Sequence, residues 1–217
     1  MSRTLELADH ATRDDLKIYL ERLARAGQEE VRLVVRGAVL AVFGCTQAPM
    51  GILDAVPVVL VLRSFALASP VDEPLDLVVT GRSLLDRLAR LGVLGRRLEL
   101  PEVEVTAAWA GVLPPVAGWQ PVGAIDAASL AAVAEQGMRR IADALPESPG
   151  DAVVRKVRGE VWGSEIAPGL PAAAAFAAEA MGFLGSGSGT VFRLSSTLTW
   201  QRLAGDRGEV LVRTLLG

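Results

Sequence analysis

The stretch Leu170–Leu184, LPAAAAFAAEAMGFL, most restricts what this chain can fold into. Pro171 suits a first helical position and the alanines behind it are the strongest helix formers. Fourteen of the fifteen residues are uncharged, Glu179 being the exception, so the helix has no polar face to turn to water. A helix that is apolar all round is either enclosed by protein or spans a membrane. Pro168, Pro171 and Glu179 break the wider run from Ile166, which makes it a poor spanning segment. The reading is a central packing helix for the C-terminal half.

A chain of 217 residues can bury a sizeable core in one or two domains. Its mean hydropathy of +0.36 is high for a small monomer. Surplus apolar surface of that kind points to a subunit interface or to an apolar ligand. Basic side chains are 20 arginines against two lysines, Lys17 and Lys156, and the net charge is −3. Residues 1–124 carry 13 basic and 15 acidic groups and residues 125–217 carry 9 and 10, so neither half is a bulk polyanion binder. No nucleic-acid partner is expected. The single cysteine, Cys45, excludes an intramolecular disulfide and fits a reducing compartment. The N-terminus MSRTLELADHATRDDL lacks the apolar core of a signal peptide, so a cytoplasmic protein with no membrane span is expected.

Read in order, the chain opens with a helix over Thr12–Ala26, Thr12 as its cap and Gly27 at its left-handed end. Val31, Leu33 and Val35 alternate with Arg32, Val34 and Arg36 as in a strand. Arg36-Gly37 turns into a second strand, Ala38–Cys45, and after the loop TQAPMG comes a third, Pro57–Leu67. Leu75–Thr80 is a fourth, followed by a short helix Ser83–Leu91 that ends at Gly92. Leu98–Trp109 reads as a further strand. The segment GVLPPVAGWQPVG reads as a linker with Trp119 laid on a surface. Asp126 then caps an amphipathic helix whose stripe includes Leu130, Ala134, Gly137, Met138 and Ile141. A second helix opens at Asp151, the all-apolar one is third, and GSGSG leads to a hairpin, Val191–Leu203 with Glu209–Leu215. The expectation is an α+β fold with a mostly antiparallel sheet and flanking helices over 1–110. A linker over 111–124 joins it to a domain of three helices and a β-hairpin over 125–217, in winged-helix-like order. The third helix has no basic residue, so it cannot serve as a DNA recognition helix.

No motif for catalysis, a cofactor or a metal emerges. Gly185–Gly189 lies between helix and strand with no lysine after it, the reverse of a phosphate loop. His10 is the only histidine; with Asp9, Asp14 and Asp15 it sketches a metal site but reads as a solvated arm. Cys45 sits in an apolar strand and reads as core. Glu102 and Glu104 share one side of the expected strand at a glycosidase-like separation, which an exposed edge explains equally. Arg82, Arg87, Arg90, Arg96 and Arg97 face the single acid Asp86 and form a candidate anion site or a solvated helix face. Gly137, mid-helix on the apolar stripe, marks a close crossing, with Leu170–Leu184 as the expected neighbour.

Leu75–Gly92, LDLVVTGRSLLDRLARLG, is similar to the strand-then-helix segment of sterol-carrier-like domains. That resemblance implies an apolar small-molecule pocket in the N-terminal half. The sequence thus leads to a non-enzymatic protein that acts through protein–protein contact as a homodimer. Binding of a small apolar ligand between sheet and helices of residues 1–110 is the alternative.

Overall fold

Helix α1 (His10–Arg25) begins one turn earlier than its apolar spacing suggests, because the cap is Asp9 and not Thr12. The Thr12 amide donates to Asp9 Oδ1 at 2.7 Å, which satisfies one of the helix's unpaired N-terminal donors. At the other end Gln28 N donates to Leu23 O and Gly27 N to Ala24 O, with Gly27 at φ +77, the double bond of a Schellman cap. Between these stops Leu16, Tyr19, Leu20 and Leu23 are buried. The Tyr19 hydroxyl donates to Val42 O at 3.3 Å.

This computed structural model describes residues 3–49, 56–185 and 189–213. The chain divides into two units, Met1–Thr46 with Leu62–Leu113, and Gln47–Val61 with Pro114–Gly217. In the first, β1 (Thr4–Glu6) precedes α1, and β2 (Glu30–Arg36), β3 (Val39–Gln47) up to Thr46, β4 (Val58–Ala66) from Leu62 on, β5 (Leu75–Thr80), α2 (Gly81–Arg90) and β6 (Arg97–Glu99) follow. The strands lie in the order β5-β2-β3-β4. Antiparallel register sets Leu33 between Leu77 and Val42, and Val35 between Leu75 and Leu40, so alternate residues make one apolar face. On the opposite face Arg32 holds Asp76 by two bonds of 2.7 Å. Its Nη1 also donates to Ala110 O, which anchors a single 3-10 turn, Ala108–Gly111.

Two expectations in this unit need correction. The N-terminal arm is ordered: β1 pairs with β6 and buries Leu5 and Leu7. Leu98–Trp109 is not one strand. Only Arg97–Glu99 pairs, and the chain beyond runs past β5, where Val105 N donates to Val78 O at 2.9 Å.

The second unit contains β7 (Gln120–Asp126), α3 (Ala127–Ala144), α4 (Asp151–Trp162), a short ribbon of β8 (Glu165–Ala167) with β9 (Leu170–Pro171), α5 (Ala172–Ala180), β10 (Val191–Ser196), β11 (Trp200–Gly205) and β12 (Gly208–Arg213). Its strands lie in the order β12-β11-β10-β7. The three helices and the closing hairpin come in the expected order, but strand β7 occupies residues expected to end a linker. It pairs with β10. The run Val191–Leu203 bends at Thr197–Thr199 and is two strands, not one. The all-apolar helix is nine residues long, and Leu170–Pro171 before it is extended. Six of its alanines are buried, so the helix is enclosed on most sides. It rests on α3 and β12. Gly182, at φ +68, closes it with bonds from Gly182 N to Glu179 O and Phe183 N to Ala178 O.

Helix α3 is capped by Asp126, which accepts from Ser129 N at 2.8 Å and from Ser129 Oγ at 2.7 Å. Its stripe is covered only in part: Ala127, Leu130, Ala134 and Gly137 are buried, whereas Met138 is exposed. Gly137 is indeed a close crossing, but its neighbour is Trp162 at the end of α4. A Cβ added there would stand 2.2 Å from the indole ring. Trp162 stacks on Phe176 of α5 with centroids 4.6 Å apart, so the indole is wedged between α3 and α5.

Candidate interaction surfaces

Residues that the sequence offers for chemistry are scattered or engaged. His10 is the exposed first residue of α1. Asp9 caps that helix, Asp14 pairs with Arg13 at 2.7 Å, and Asp15 pairs with Arg63 at 2.5 Å. No group of metal-binding side chains comes together among the described residues. Cys45 is buried in β3. Glu102 and Glu104 stand on irregular chain, and Glu104 pairs with Arg3 at 3.3 Å. Gly185–Gly189 lies in part outside the described residues, as does the loop TQAPMG.

The arginine cluster separates into fixed and free members. Arg82 pairs with Asp86 at 3.2 Å, and Arg87 donates to Ser83 O at 3.2 Å within α2. Arg96 donates to Ala8 O at 2.6 Å and to Glu6 at 3.2 Å, tying the start of α1 to β6. Arg90 and Arg97 remain exposed. The apolar-ligand reading asks for a cavity between sheet and helices. In the first unit that space is occupied by Leu16, Tyr19, Leu20, Leu23, Leu84 and Leu88, all buried. Two surface clefts of this unit, of about 500 and 280 Å³, are lined mainly by polar groups such as Glu6, Asp72 and Glu73, and Arg3, Glu102 and Glu104.

The most distinctive surface is the free edge of β7. The Ala127 amide donates to Thr190 O at 2.9 Å, and this fixes the phase of the ladder. Ile125 and Gly123 then exchange bonds with Phe192 and Leu194, while the N–H and C=O of Ala124 point away from β10. Among the described residues they have no hydrogen-bond partner. Every residue of β7 but Ile125 is exposed. The far edge of β5 is not equally open, because Val105 takes its Val78 carbonyl. Next to β7, Trp119 stacks beneath the Arg202 guanidinium at 4.6 Å, and its indole donates to Pro115 O at 2.9 Å. Within the expected linker, Trp119 therefore lies against Arg202 of β11. In that sheet burial pushes the Glu209 carboxyl upward, against the pull of Arg202 and Arg193.

The fold is that of bacterial DNA polymerase sliding clamps. The chain aligns over its whole length with the DNA polymerase III subunit beta of Pseudomonas aeruginosa (TM-score 0.55, 16% identity, 65% of that chain). A beta sliding clamp of Caulobacter crescentus (0.57, 13%, 66% of that chain) and a beta clamp of Helicobacter pylori (0.52, 11%, 64%) align as fully. The chain therefore spans just under two thirds of their length, and at such identities the likeness concerns fold alone. By sequence it belongs to the family described as domain of unknown function DUF8010, whose model matches residues 1–111. A second model, domain of unknown function DUF8185, matches residues 114–217. No curated protein matches the sequence. No helix among the described residues is long and apolar enough to cross a membrane.

Proposed function

We propose that this protein works through protein–protein contact, as a homo-oligomer joined along the free edge of β7. One observation carries the reading: Ala124 presents a backbone donor and acceptor with no partner among the described residues, on the side of β7 away from β10. An edge of this kind is a template for another strand. A second copy of the chain supplies the simplest one, an isologous pairing of like edges. The clamp-like neighbours support an interaction protein rather than a particular partner. We take the compartment to be the cytoplasm, which suits a single buried cysteine.

Light scattering at micromolar concentration should report a dimer or larger. Ala124→Pro removes the outward N–H and should give a folded monomer, because edge strands tolerate proline where its N–H is not used. Ile125→Pro removes an N–H bonded to β10 and should unfold the unit, which controls for proline itself. A monomeric wild type overturns the proposal. An oligomer that survives Ala124→Pro moves its interface away from β7.

A second reading has its own observation. The five helices together carry twelve basic and nine acidic side chains, while the rest of the chain carries ten and sixteen. The net charge of −3 thus averages over a basic helical part, and the neighbouring structures are clamps of a DNA polymerase. If DNA is the partner, fluorescence anisotropy should show duplex binding that weakens steeply with salt. Absence of binding at low salt rules it out.

A further inference from the structure

After α2 the chain turns through Gly92-Val93-Leu94-Gly95 before entering β6. Val93 and Leu94 are 82% and 83% exposed, whereas Leu84 and Leu88 of the preceding helix are buried. Two adjacent aliphatic side chains held in water contribute nothing to this fold.

The loop is built to hold them there. Arg13 of α1, its side chain 13% exposed, donates Nη1 to the carbonyls of Gly92 at 3.0 Å, Val93 at 2.7 Å and Gly95 at 3.3 Å. Asp14 fixes the other side of the same guanidinium through Nε at 2.9 Å and Nη2 at 2.7 Å. Gly92 takes the left-handed φ of +64 that the turn needs. A Cβ on Gly95 would meet Leu91 O.

The charge around the tip is positive. Arg90 stands three residues before Val93 and Arg97 three after Leu94, both exposed and without an ion-pair partner among the described residues. The nearby acids Asp14, Asp86 and Glu6 are each held by another arginine, which leaves Glu99 on β6 as the exposed acid of this stretch.

We propose that this loop is a membrane-docking tip for an anionic bilayer. Val93 and Leu94 enter the boundary between headgroups and acyl chains, and Arg90 and Arg97 meet lipid phosphates. A protein partner is the weaker match. Two side chains on a convex turn cover far less than the roughly 1,000 Å² that a stable protein interface needs. A bilayer needs no complementary shape, and it rewards each buried aliphatic group and each adjacent cation separately. One tip binds weakly, and copies on a single particle add by avidity.

The test is co-sedimentation of the full chain with phosphatidylcholine vesicles, with and without phosphatidylserine. Wild type should sediment with the phosphatidylserine vesicles only, and less so as salt rises. Leu94→Asp should lower the binding at least about tenfold, because a charge then stands where an aliphatic group enters the bilayer. Arg90→Glu combined with Arg97→Glu should lower it several-fold. Since all these side chains are exposed, the melting temperature should hold, which separates a docking defect from a folding defect. Failure to sediment with anionic vesicles overturns the proposal. So does binding indifferent to Val93→Asp and Leu94→Asp. Binding to duplex DNA that needs the arginines but not Leu94, without vesicle binding, would make the surface a polyanion site instead.

Discussion

A glycine in mid-helix is a costly residue, and Gly137 shows what the cost allows. Its missing side chain gives the ring of Trp162 room to lie against α3, with the ring 2.2 Å from where a Cβ would be. Gly137→Ala should therefore destabilise the protein by about 1–3 kcal/mol despite an intrinsic helix gain of about 1 kcal/mol. Denaturant unfolding measures this directly. Pairing it with Trp162→Leu should return part of the stability, because the smaller side chain vacates the space. A raised melting temperature for Gly137→Ala alone would contradict the packing. The glycine's role was legible from its place on the apolar stripe, but its neighbour was not. Trp162 closes the following helix, and nothing in its local sequence says that it folds back onto α3. The clusters around His10 and around Glu102 and Glu104 can be weighed as sites from sequence only because spacing does not show which carboxylates already have a cap or an arginine.

At the scale of elements, several helix ends were readable, although α1 is capped by Asp9 rather than Thr12 and α5 is shorter than Leu170–Leu184; the ends of strands were much less so. Asp126, Gly27 and Gly92 mark their stops because capping is local chemistry. Strand β7 was missed because Pro121 and Gly123 signal a linker, yet an edge strand accepts both. The N-terminal strand left a faint signal in the alternation Thr4-Leu5-Glu6-Leu7, with Leu5 and Leu7 buried. The capping aspartates also carry a pH signature. The Ser129 hydroxyl and amide hold the Asp126 carboxyl below its ordinary value of 3.8, and the Thr12 amide does the same for Asp9. A carboxyl depressed in the folded state adds stability above its unfolded pKa, and that stability is lost as pH falls through the folded value. The melting temperature should thus drop between about pH 5 and pH 2, and by less in Asp126→Asn and Asp9→Asn. Equal slopes for wild type and variants would show that the caps do not titrate as described.

For the molecule as a whole, alternation and helical periodicity were enough to define an α+β chain, because burial on one face imprints itself locally. Which strand lies beside which is a long-range matter. The pairing of β7 with β10 across three helices leaves no local trace. Mean hydropathy suggested an interface or a cavity, but part of that surplus is spent inside the second unit, where α5 is apolar on nearly every side and buried. Hydropathy alone is therefore a poor guide to self-association, and the edge of β7 is the better one. If that edge joins copies, the melting temperature must rise with protein concentration.

The indole of Trp162 has a consequence for spectroscopy. Its Nε1 is buried with no hydrogen-bond partner in the described structure, and the ring is 4% exposed against Phe176. An indole shielded from water and from other dipoles emits at short wavelength, and its N–H exchanges with solvent only when the surrounding helices part. Trp119, beneath Arg202 in the same unit, has a polar setting and a bonded N–H. Trp200 of β11, 3% exposed, is the third tryptophan of this unit, so with Trp200→Phe the other two become separate optical reporters: one for the seam between α3, α4 and α5, the other for the chain beside Arg202.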